Sequence, residues 1–152
     1  MRNIISISLL FFLFVLGTGS TSFSQTDNVY NQGTVWSLAF VRTGTNSTND
    51  YLKGLKKTWE VSLKDALKEG LIKSYKVLLG PAANQEDYNI ILMIEFENMA
   101  SFDPDVIRDK KWDAIDQKIK DSMKDEYQET LLNYENIRQF FGEKLMREIY
   151  FK

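Results

Sequence analysis

The chain of 152 residues contains no cysteine and no histidine, and only two prolines. Because disulfides are excluded, its stability must come from the burial of apolar groups. The absence of both His and Cys also excludes a Ser-His-Asp triad, a thiol nucleophile and an ordinary zinc site. Any general base in this chain must therefore be a carboxylate, a perturbed lysine or a tyrosine.

The chain also lacks a strong charge of one sign. It has 19 Lys and Arg residues against 21 Asp and Glu residues, with a formal net charge of −2. The two signs are interleaved along the chain, and no basic stripe is present. Since binding to nucleic acid depends on such a stripe, the sequence predicts no nucleic-acid partner.

The chain has one long apolar run, over residues 4–16, which follows Arg2 and precedes a small, polar stretch at residues 17–22. This order is typical of a cleavable secretory signal peptide, which we assign to residues 1–24. The alternative is an uncleaved membrane anchor, but the run is shorter than the roughly 20 residues needed to span a bilayer. No Cys follows it, which excludes a lipid-anchored export signal. We expect an exported protein, periplasmic or extracellular, that does not associate with the membrane after cleavage.

Residues 25–32 are polar and are predicted to be flexible, and residues 33–152 are predicted to form a single domain. Alternating apolar residues indicate strands, and apolar residues at three- and four-residue steps indicate helices. The predicted elements are a strand at 34–42, a helix at 52–67 that stops at Gly70, strands at 72–79 and 88–97, a helical region from Asp103 and Pro104 to Phe141 with a break at 122–125, and a strand at 145–151.

This order predicts an α+β domain with the ferredoxin-like split β-α-β fold, in which helices cover one face of an antiparallel four-stranded sheet. Strand 34–42 is nevertheless apolar on both sides, and strand 88–97 carries Ile91 and Met93 opposite Ile90, Leu92 and Ile94. An uncovered apolar face is a liability in a monomer. We therefore expect a homodimer that stacks these faces. The alternative is that the helix at 127–141 folds over the second face within one chain.

The pattern resembles the dimeric α/β-barrel superfamily over about residues 33–152. It resembles more closely an uncharacterised group of small exported bacterial proteins. The residues that carry this second likeness are Tyr51-Leu52 with Leu55 and Trp59, Tyr75-Lys76, Gly80-Pro81-Ala82, Asn98-Met99-Ala100, and Lys144 to Ile149.

The superfamily resemblance implies a site in the cleft between the helices and the sheet. Members of the superfamily include heme-degrading enzymes and cofactor-independent oxygenases that act on aromatic compounds. Heme-degrading members typically use a His ligand, and this chain has none. We therefore expect no cofactor and no metal.

Five residues are candidates for binding a small apolar or aromatic ligand: Trp36, Trp59, Tyr75, Trp112 and Arg147. The four aromatic side chains are suited to lining a cleft, although core packing is the more common role of such residues. Arg147 is suited to binding a carboxylate, with an ion pair or an outward orientation as the alternative.

Two further sets of charged residues have structural interpretations. Lys76 and Glu95 are predicted to form a cross-strand ion pair, rather than a site with a tuned base. Asp103, Asp105 and Asp109 lack the spacing of a calcium loop and indicate a helix start.

The leading hypothesis is an exported homodimer that has no catalytic activity or that binds a small apolar or aromatic ligand. One alternative is a cofactor-independent oxygenase or isomerase acting on a small aromatic compound, which rests on the fold alone. The other is a structural partner of another envelope protein.

Overall fold

The computed structural model describes residues 28–152, so the predicted signal peptide lies outside the described residues. The elements in chain order are β1 (Tyr30–Thr43), α1 (Thr48–Lys57), α2 (Trp59–Lys68), β2 (Ser74–Leu79), β3 (Ile90–Phe96), α3 (Val106–Met123), α4 (Asp125–Ile137) and β4 (Arg138–Phe151). A short 3₁₀ turn, Met99–Phe102, precedes α3.

The four strands form one antiparallel sheet in the order β2-β3-β1-β4. The two central strands, β1 and β3, are each followed by helices before the chain returns to an edge strand. This is the split β-α-β topology of the ferredoxin-like fold. The predicted fold class is confirmed.

All four helices lie on the same face of the sheet, which we call the covered face. Their apolar sides pack on alternate residues of β1 and β3, as the two-residue period of a strand requires. One cluster of buried residues lies under α1 and α4 and a second under α2 and α3. Their members are Val41, Tyr51, Leu55, Ile90, Leu92 and Tyr134 in the first, and Leu63, Ala66, Ile72, Phe96, Ile115 and Ile119 in the second. Trp59 packs against both clusters.

Helix α4 belongs to this layer and does not cross to the other face. Its Tyr134 is buried in the first cluster, with its ring 5.2 Å from the Tyr51 ring. Gly54 of α1 lies so close to Tyr134 that a Cβ atom there would be 2.6 Å from the tyrosine ring. The alternative in which this helix covers the second face within one chain is therefore wrong.

The other face of the sheet, which we call the open face, has no element packed on it within residues 28–152. It carries a set of half-buried apolar side chains from β1 and β3 and more exposed ones from β2 and β4. These are Trp36, Leu38, Phe40, Ile91 and Met93, together with Leu78 and Met146, which are 49% and 53% exposed. The sequence prediction of a sheet that is apolar on both faces agrees with this arrangement.

Several predicted boundaries are wrong. The helix predicted at 52–67 is two helices, because the chain bends at Thr58 (φ −110°, ψ −75°). Helix α3 begins after Asp105, whose carboxylate accepts from the backbone N–H of Ile107 and Arg108, so neither Asp103 nor Pro104 starts the helix. The backbone N–H groups of Arg108 and Ile107 also hold the pKa of Asp105 below its usual value.

The first and last strands of the chain, β1 and β4, are longer than predicted. β4 begins at Arg138, so the helical pattern that was extended to Phe141 ends at Ile137. β1 begins at Tyr30, so the last three residues of the segment predicted to be flexible pair with Ile149–Phe151. The predicted break near 122–125 is confirmed at Lys124, which has φ 51°, and Gly70 ends α2 with φ 69°.

Candidate functional site

A cleft of about 250 Å³ lies in the helix layer, directly above the sheet. Its walls come from α2, α3 and α4, and Leu92 of β3 forms part of its floor. The lining residues are Leu55, Thr58, Trp59, Ser62, Leu92, Asp116, Ile119, Tyr127, Leu131, Tyr134 and Arg138. We call this the central cleft. It is largely apolar and aromatic, with a few polar groups, which is the usual make-up of a small-molecule site.

The bend between α1 and α2 places a hydroxyl group in the central cleft. Thr58 Oγ1 donates to the carbonyl oxygen of Gly54 at 3.1 Å, and it lies 2.7 Å from the hydroxyl of Tyr134. Since the Thr58 proton is used on Gly54, the Tyr134 hydroxyl donates to Thr58. Burial raises the pKa of Tyr134 although the Thr58 hydrogen bond opposes this, so the phenol stays neutral at physiological pH.

Arg138 stands at the junction of α4 and β4 and places a cation at one side of the same cleft. Its Nη1 donates to the hydroxyl of Tyr51 at 3.1 Å. Its guanidinium carbon lies 5.8 Å from the Tyr51 ring centre and 5.4 Å from that of Tyr134. None of the ion pairs formed within residues 28–152 includes Arg138. Two buried rings therefore hold a half-buried cation that pairs with no carboxylate of the described residues.

A second groove, of about 380 Å³, lies between the first two helices and the edge strand β2. We call it the edge groove. Trp59 and Tyr75 line it, with their rings at 86° and 5.5 Å apart. Lys56, Glu60 and Lys76 form its polar rim. Trp59 and Leu55 line both this groove and the central cleft, so one indole separates the two spaces.

The structure brings together only part of the predicted ligand-binding set. Trp59 and Tyr75 meet in the edge groove, and both pack against the second core cluster. Trp112 of α3 is half-buried and packs against the same cluster. Trp36 lies on the open face, where Lys76 Nζ stands 4.7 Å from its ring centre. A single cleft lined by all four aromatic residues is therefore not formed, because the sheet separates Trp36 from the other three.

Arg147 is placed as the sequence suggested, but it does not face a cleft. It pairs with Val35 and so shares a strand side with Leu145 and Ile149. Its side chain is exposed, and Nη1 makes a long contact of 3.5 Å to the carbonyl oxygen of Gly33. The helix layer ends before it reaches this part of β4, so Arg147 points into solvent.

The predicted ion pair of Lys76 and Glu95 is not formed. The two residues do share the open face, but Lys76 is opposite Met93 and Glu95 is opposite Ser74. Ser74 Oγ donates to Glu95 at 2.5 Å, and this hydrogen bond is the main cause that lowers the pKa of the carboxyl. Lys76 lies over Trp36 instead.

Two larger grooves on the helical surface are lined mainly by charged side chains. One, of about 590 Å³, lies between α1 and α4, where Lys57 binds Glu126 at 2.5 Å. The other, of about 480 Å³, lies between α2 and α3, where Asp65 binds Lys68 and Lys118. Most of their charged groups already have partners, so the central cleft and the edge groove are the better candidates for an apolar ligand.

Two features are absent from residues 28–152. No three carboxylates in this part of the chain lie close enough together to hold a metal ion. No helix in the same range is long and apolar enough to cross a membrane.

Sequence reasoning missed Thr58, Tyr134 and Arg138, the polar groups of the central cleft. Thr58 lies within a continuous apolar helical period, which gives no sign of a bend. Arg138 lies within the segment that was predicted to be helical, but its partner Tyr51 is 87 residues away in the sequence. The one available signal was a lone basic residue beside Tyr134 and Ile137, in a segment otherwise rich in acids.

No known family model matches the chain, and no curated protein matches it in sequence. Solved structures match at the level of fold. A NIPSNAP family protein of unknown function from Agrobacterium tumefaciens is 7% identical over 79% of this chain and 90% of that chain, with a TM-score of 0.44.

Two further structures are described as dimeric. A dimeric ferredoxin-like protein from an uncultured marine organism is 12% identical over 79% of this chain and 96% of that chain, with a TM-score of 0.44. A dimeric protein of unknown function with a ferredoxin-like fold, from Bacteroides fragilis, is 15% identical over 80% and 98%, with a TM-score of 0.37. These likenesses concern the fold alone.

Proposed function

We propose that this protein is an exported homodimer that binds a small apolar or aromatic ligand and has no catalytic activity of its own. The observation that carries the proposal is the central cleft, a largely apolar space beside Trp59 that contains few, well-placed polar groups. The resemblance of the sequence to small exported bacterial proteins supports the same assignment, as does the signal-peptide pattern of residues 1–24.

The residues that line the central cleft argue for binding rather than catalysis. Asp116 is the one carboxylate among them, and it stands without a second acid, which the carboxylate pairs of acid-base enzymes require. The Tyr134 phenol already donates its proton to Thr58, and burial raises its pKa. A phenol held neutral in this way is a poor general base.

The open face supports the homodimer. Its apolar side chains include Trp36, Leu38 and Met93 at the centre, and each copy would remove them from water at about 25 cal/mol per Å². The alternative within one chain, coverage by the C-terminal helix, is excluded by the position of α4 on the covered face. A second copy is therefore the occupant that we propose.

The charges of the open face suit an interface between two identical copies. Lys76 and Lys144 flank Leu38 in one row across the strands, while Glu95 and Glu148 lie towards the opposite end. A two-fold axis that lies in the interface, parallel to the sheet and perpendicular to the strands, stacks the two open faces and places the basic row of one copy near the acidic end of the other. An isologous dimer requires this kind of self-complementary surface.

Introducing a charge at the apolar centre of the open face tests the dimer. We expect Leu38→Lys to weaken dimerisation by about a hundredfold or more, because it buries a third ammonium group in a row that already has two. Leu132→Lys is the matched control, since Leu132 is exposed on α4, away from the open face. Analytical ultracentrifugation should give a monomer for the first variant and a dimer for the second. A dimer that persists in Leu38→Lys contradicts the proposed interface.

Filling the central cleft tests ligand binding. A variant with Trp36→Phe and Trp112→Phe retains Trp59 as its one indole and reports on the cleft by fluorescence. Addition of small aromatic compounds such as phenylacetate and phenylacetamide should change this signal with saturation. Ser62→Met places a longer side chain in the cleft and should abolish the response, while Ser122→Met, on the exposed side of α3, should not change it.

Mass spectrometry of the same mixtures tests the absence of catalysis. The added aromatic compounds should be recovered unchanged after prolonged incubation with the protein in air. The appearance of an oxygenated or isomerised product that requires the intact cleft would replace the binding hypothesis with the enzymatic one.

Export is tested on the protein in its natural source. The N-terminus of the mature chain, measured in the periplasmic or culture fraction, should be Gln25 or within a few residues of it. A chain that retains Met1 and fractionates with the membrane would support the uncleaved-anchor alternative instead.

A further inference from the structure

We infer that the ligand of the central cleft is a small aromatic or apolar monocarboxylate whose carboxylate binds Arg138. The inference rests on the proposed function and adds the chemical class of the ligand and the residue that recognises it. It is carried by the position of one guanidinium group, between two buried tyrosines and at the wall of an apolar cleft.

The side chain of Arg138 is fixed before any ligand arrives. The hydroxyl of Tyr51 accepts from Nη1, and both Tyr51 and Tyr134 stand within 6 Å of the guanidinium carbon. Tyr51 is completely buried, so its ring cannot move away without opening the first core cluster. A guanidinium group held in this way has lost its rotamer freedom in advance, which lowers the entropic cost of binding an anion.

The donors of Arg138 are largely unused. A guanidinium group has five N–H donors, and one hydrogen bond from it, to Tyr51, is formed within residues 28–152. In the same part of the chain no carboxylate lies within ion-pair distance of it. The planar fork matches a carboxylate with two parallel hydrogen bonds, so a bound acid supplies the charge that the protein does not.

The rest of the cleft selects the body of the ligand. Trp59, Leu92 and Ile119 provide flat and apolar contact surface, and the volume of about 250 Å³ admits one aromatic ring with a short substituent. The Thr58 and Tyr134 hydroxyls form a hydrogen bond with each other, so the ligand needs no polar group to satisfy them. The carboxylate therefore fixes the orientation, and the ring supplies most of the buried area.

The three other arginines of residues 28–152 also form no ion pair, but they do not offer the same site. Arg108 donates to two backbone carbonyl oxygens in the turn that precedes α3. Arg42 donates to the carbonyl oxygens of Asn84 and Asp87 and so stabilises the loop between β2 and β3. Arg147 is exposed and lines neither the central cleft nor the edge groove. Among these cations, Arg138 alone combines partial burial, fixed geometry and a cavity.

Three probes of nearly equal shape test the inference by isothermal titration calorimetry on the full mature protein. Phenylacetate carries the carboxylate, phenylacetamide is its neutral isostere, and phenethylamine is a cation. We expect phenylacetate to bind about tenfold or more tightly than phenylacetamide, because a charge-assisted hydrogen bond is lost in the amide. We expect phenethylamine to bind more weakly than either.

Arg138→Gln should remove the preference for phenylacetate, and Arg147→Gln is the matched control that should keep it. Arg138→Lys keeps the cation over the two rings but loses the fork, so it should retain part of the preference. The comparison of the three probes on the unmodified protein needs no variant, so a folding defect in Arg138→Gln leaves the test intact.

The outcomes separate the two proposals. If phenylacetamide binds as tightly as phenylacetate, or if Arg138→Gln keeps the preference, the proposal that Arg138 recognises a carboxylate is wrong. The proposal that the central cleft binds a small ligand is then retained. If none of the probes binds in the central cleft and Ser62→Met changes nothing, both this inference and the proposed function fall.

Discussion

The two faces of one sheet differ in how they are shielded from water. On the covered face, four helices bury Val35, Val41 and Ile90 completely. On the open face, the neighbours of these residues, Trp36, Phe40 and Ile91, remain half-buried at best. Since the residues alternate along the same strands, the difference comes from the layer above them and not from local sequence. An apolar strand pattern therefore indicates that burial of both faces is favourable. It does not identify the helix or the second chain that covers each face.

The largest effect is expected where the two faces are compared at adjacent residues. Ile90→Ala removes three buried carbon atoms from the first core cluster and should lower the free energy of unfolding by about 2–5 kcal/mol. Ile91→Ala, on the open face, should cost less than about 1 kcal/mol at high dilution, because its side chain leaves water mainly on dimerisation. Urea unfolding at several protein concentrations measures both. Equal losses that do not depend on protein concentration would mean that the two faces are equally buried in one chain.

The second-largest change in the free energy of unfolding is expected where α1 and α4 pack closely on the covered face. Gly54→Ala would favour helix formation on propensity alone, but the new Cβ atom would stand 2.6 Å from the Tyr134 ring. We expect a net loss of about 1–3 kcal/mol, since Tyr134 is buried and cannot retreat. Gly44→Ala is the control, because the nearest atom to its Cβ lies 3.9 Å away in an exposed loop. If Gly54→Ala is neutral or stabilising, the close contact between Gly54 of α1 and the Tyr134 ring of α4 is contradicted.

The sharp break between α3 and α4 keeps the C-terminal helix on the covered face. Lys124 has φ 51° and ψ −124°, a region that residues with a side chain rarely adopt. Lys124→Gly should therefore raise the free energy of unfolding by about 1 kcal/mol. Lys120→Gly, in the body of α3, should instead lower it by about 1 kcal/mol. A loss of stability in both variants would contradict the backbone conformation of the break.

The smallest effect concerns an ion pair between two helices of the layer. Lys118 and Lys68 hold the pKa of Asp65 at about 2, against an ordinary value of 3.8. Because the folded-state pKa is lowered, this stabilisation is present above about pH 4 and is lost as the pH falls through about 2. Asp65→Asn should therefore be less stable than the unmodified protein near pH 6 and equally stable below pH 2. Asp113→Asn, on the exposed side of α3 and outside the ion pairs formed within residues 28–152, is the control that should keep the stability of the unmodified protein near pH 6.

The fold was predictable from the sequence because the strands and helices show different periods. The alternation at Ile90 to Phe96 and the three- and four-residue steps from Leu52 to Leu67 define elements that the structure contains. The limits of β4 were not predictable in this way. Ile137 and Phe141 are four residues apart and continue the apolar period of α4, whereas pairing with β1 draws residues 138–141 into the sheet.

The central cleft was predictable only in its location and in Trp59. The contact between Arg138 and Tyr51 joins residues far apart in the sequence, and it depends on the way α4 leads into β4. Arg147 was the more conspicuous basic residue, since it interrupts an apolar strand pattern. Its exposure follows from the width of the helix layer, which ends before it covers the edge strand β4.

Thiol labelling tests the shielding of the open face most directly, because a chain without cysteine can carry one introduced thiol as its sole reporter. Met146 on the open face and Leu132 on α4 are similarly exposed in a single chain, at 53% and 61%. At micromolar concentration we predict that Met146→Cys reacts with a maleimide far more slowly than Leu132→Cys, and that the two rates converge in the Leu38→Lys background. Equal rates at every concentration would contradict a dimer formed through this face.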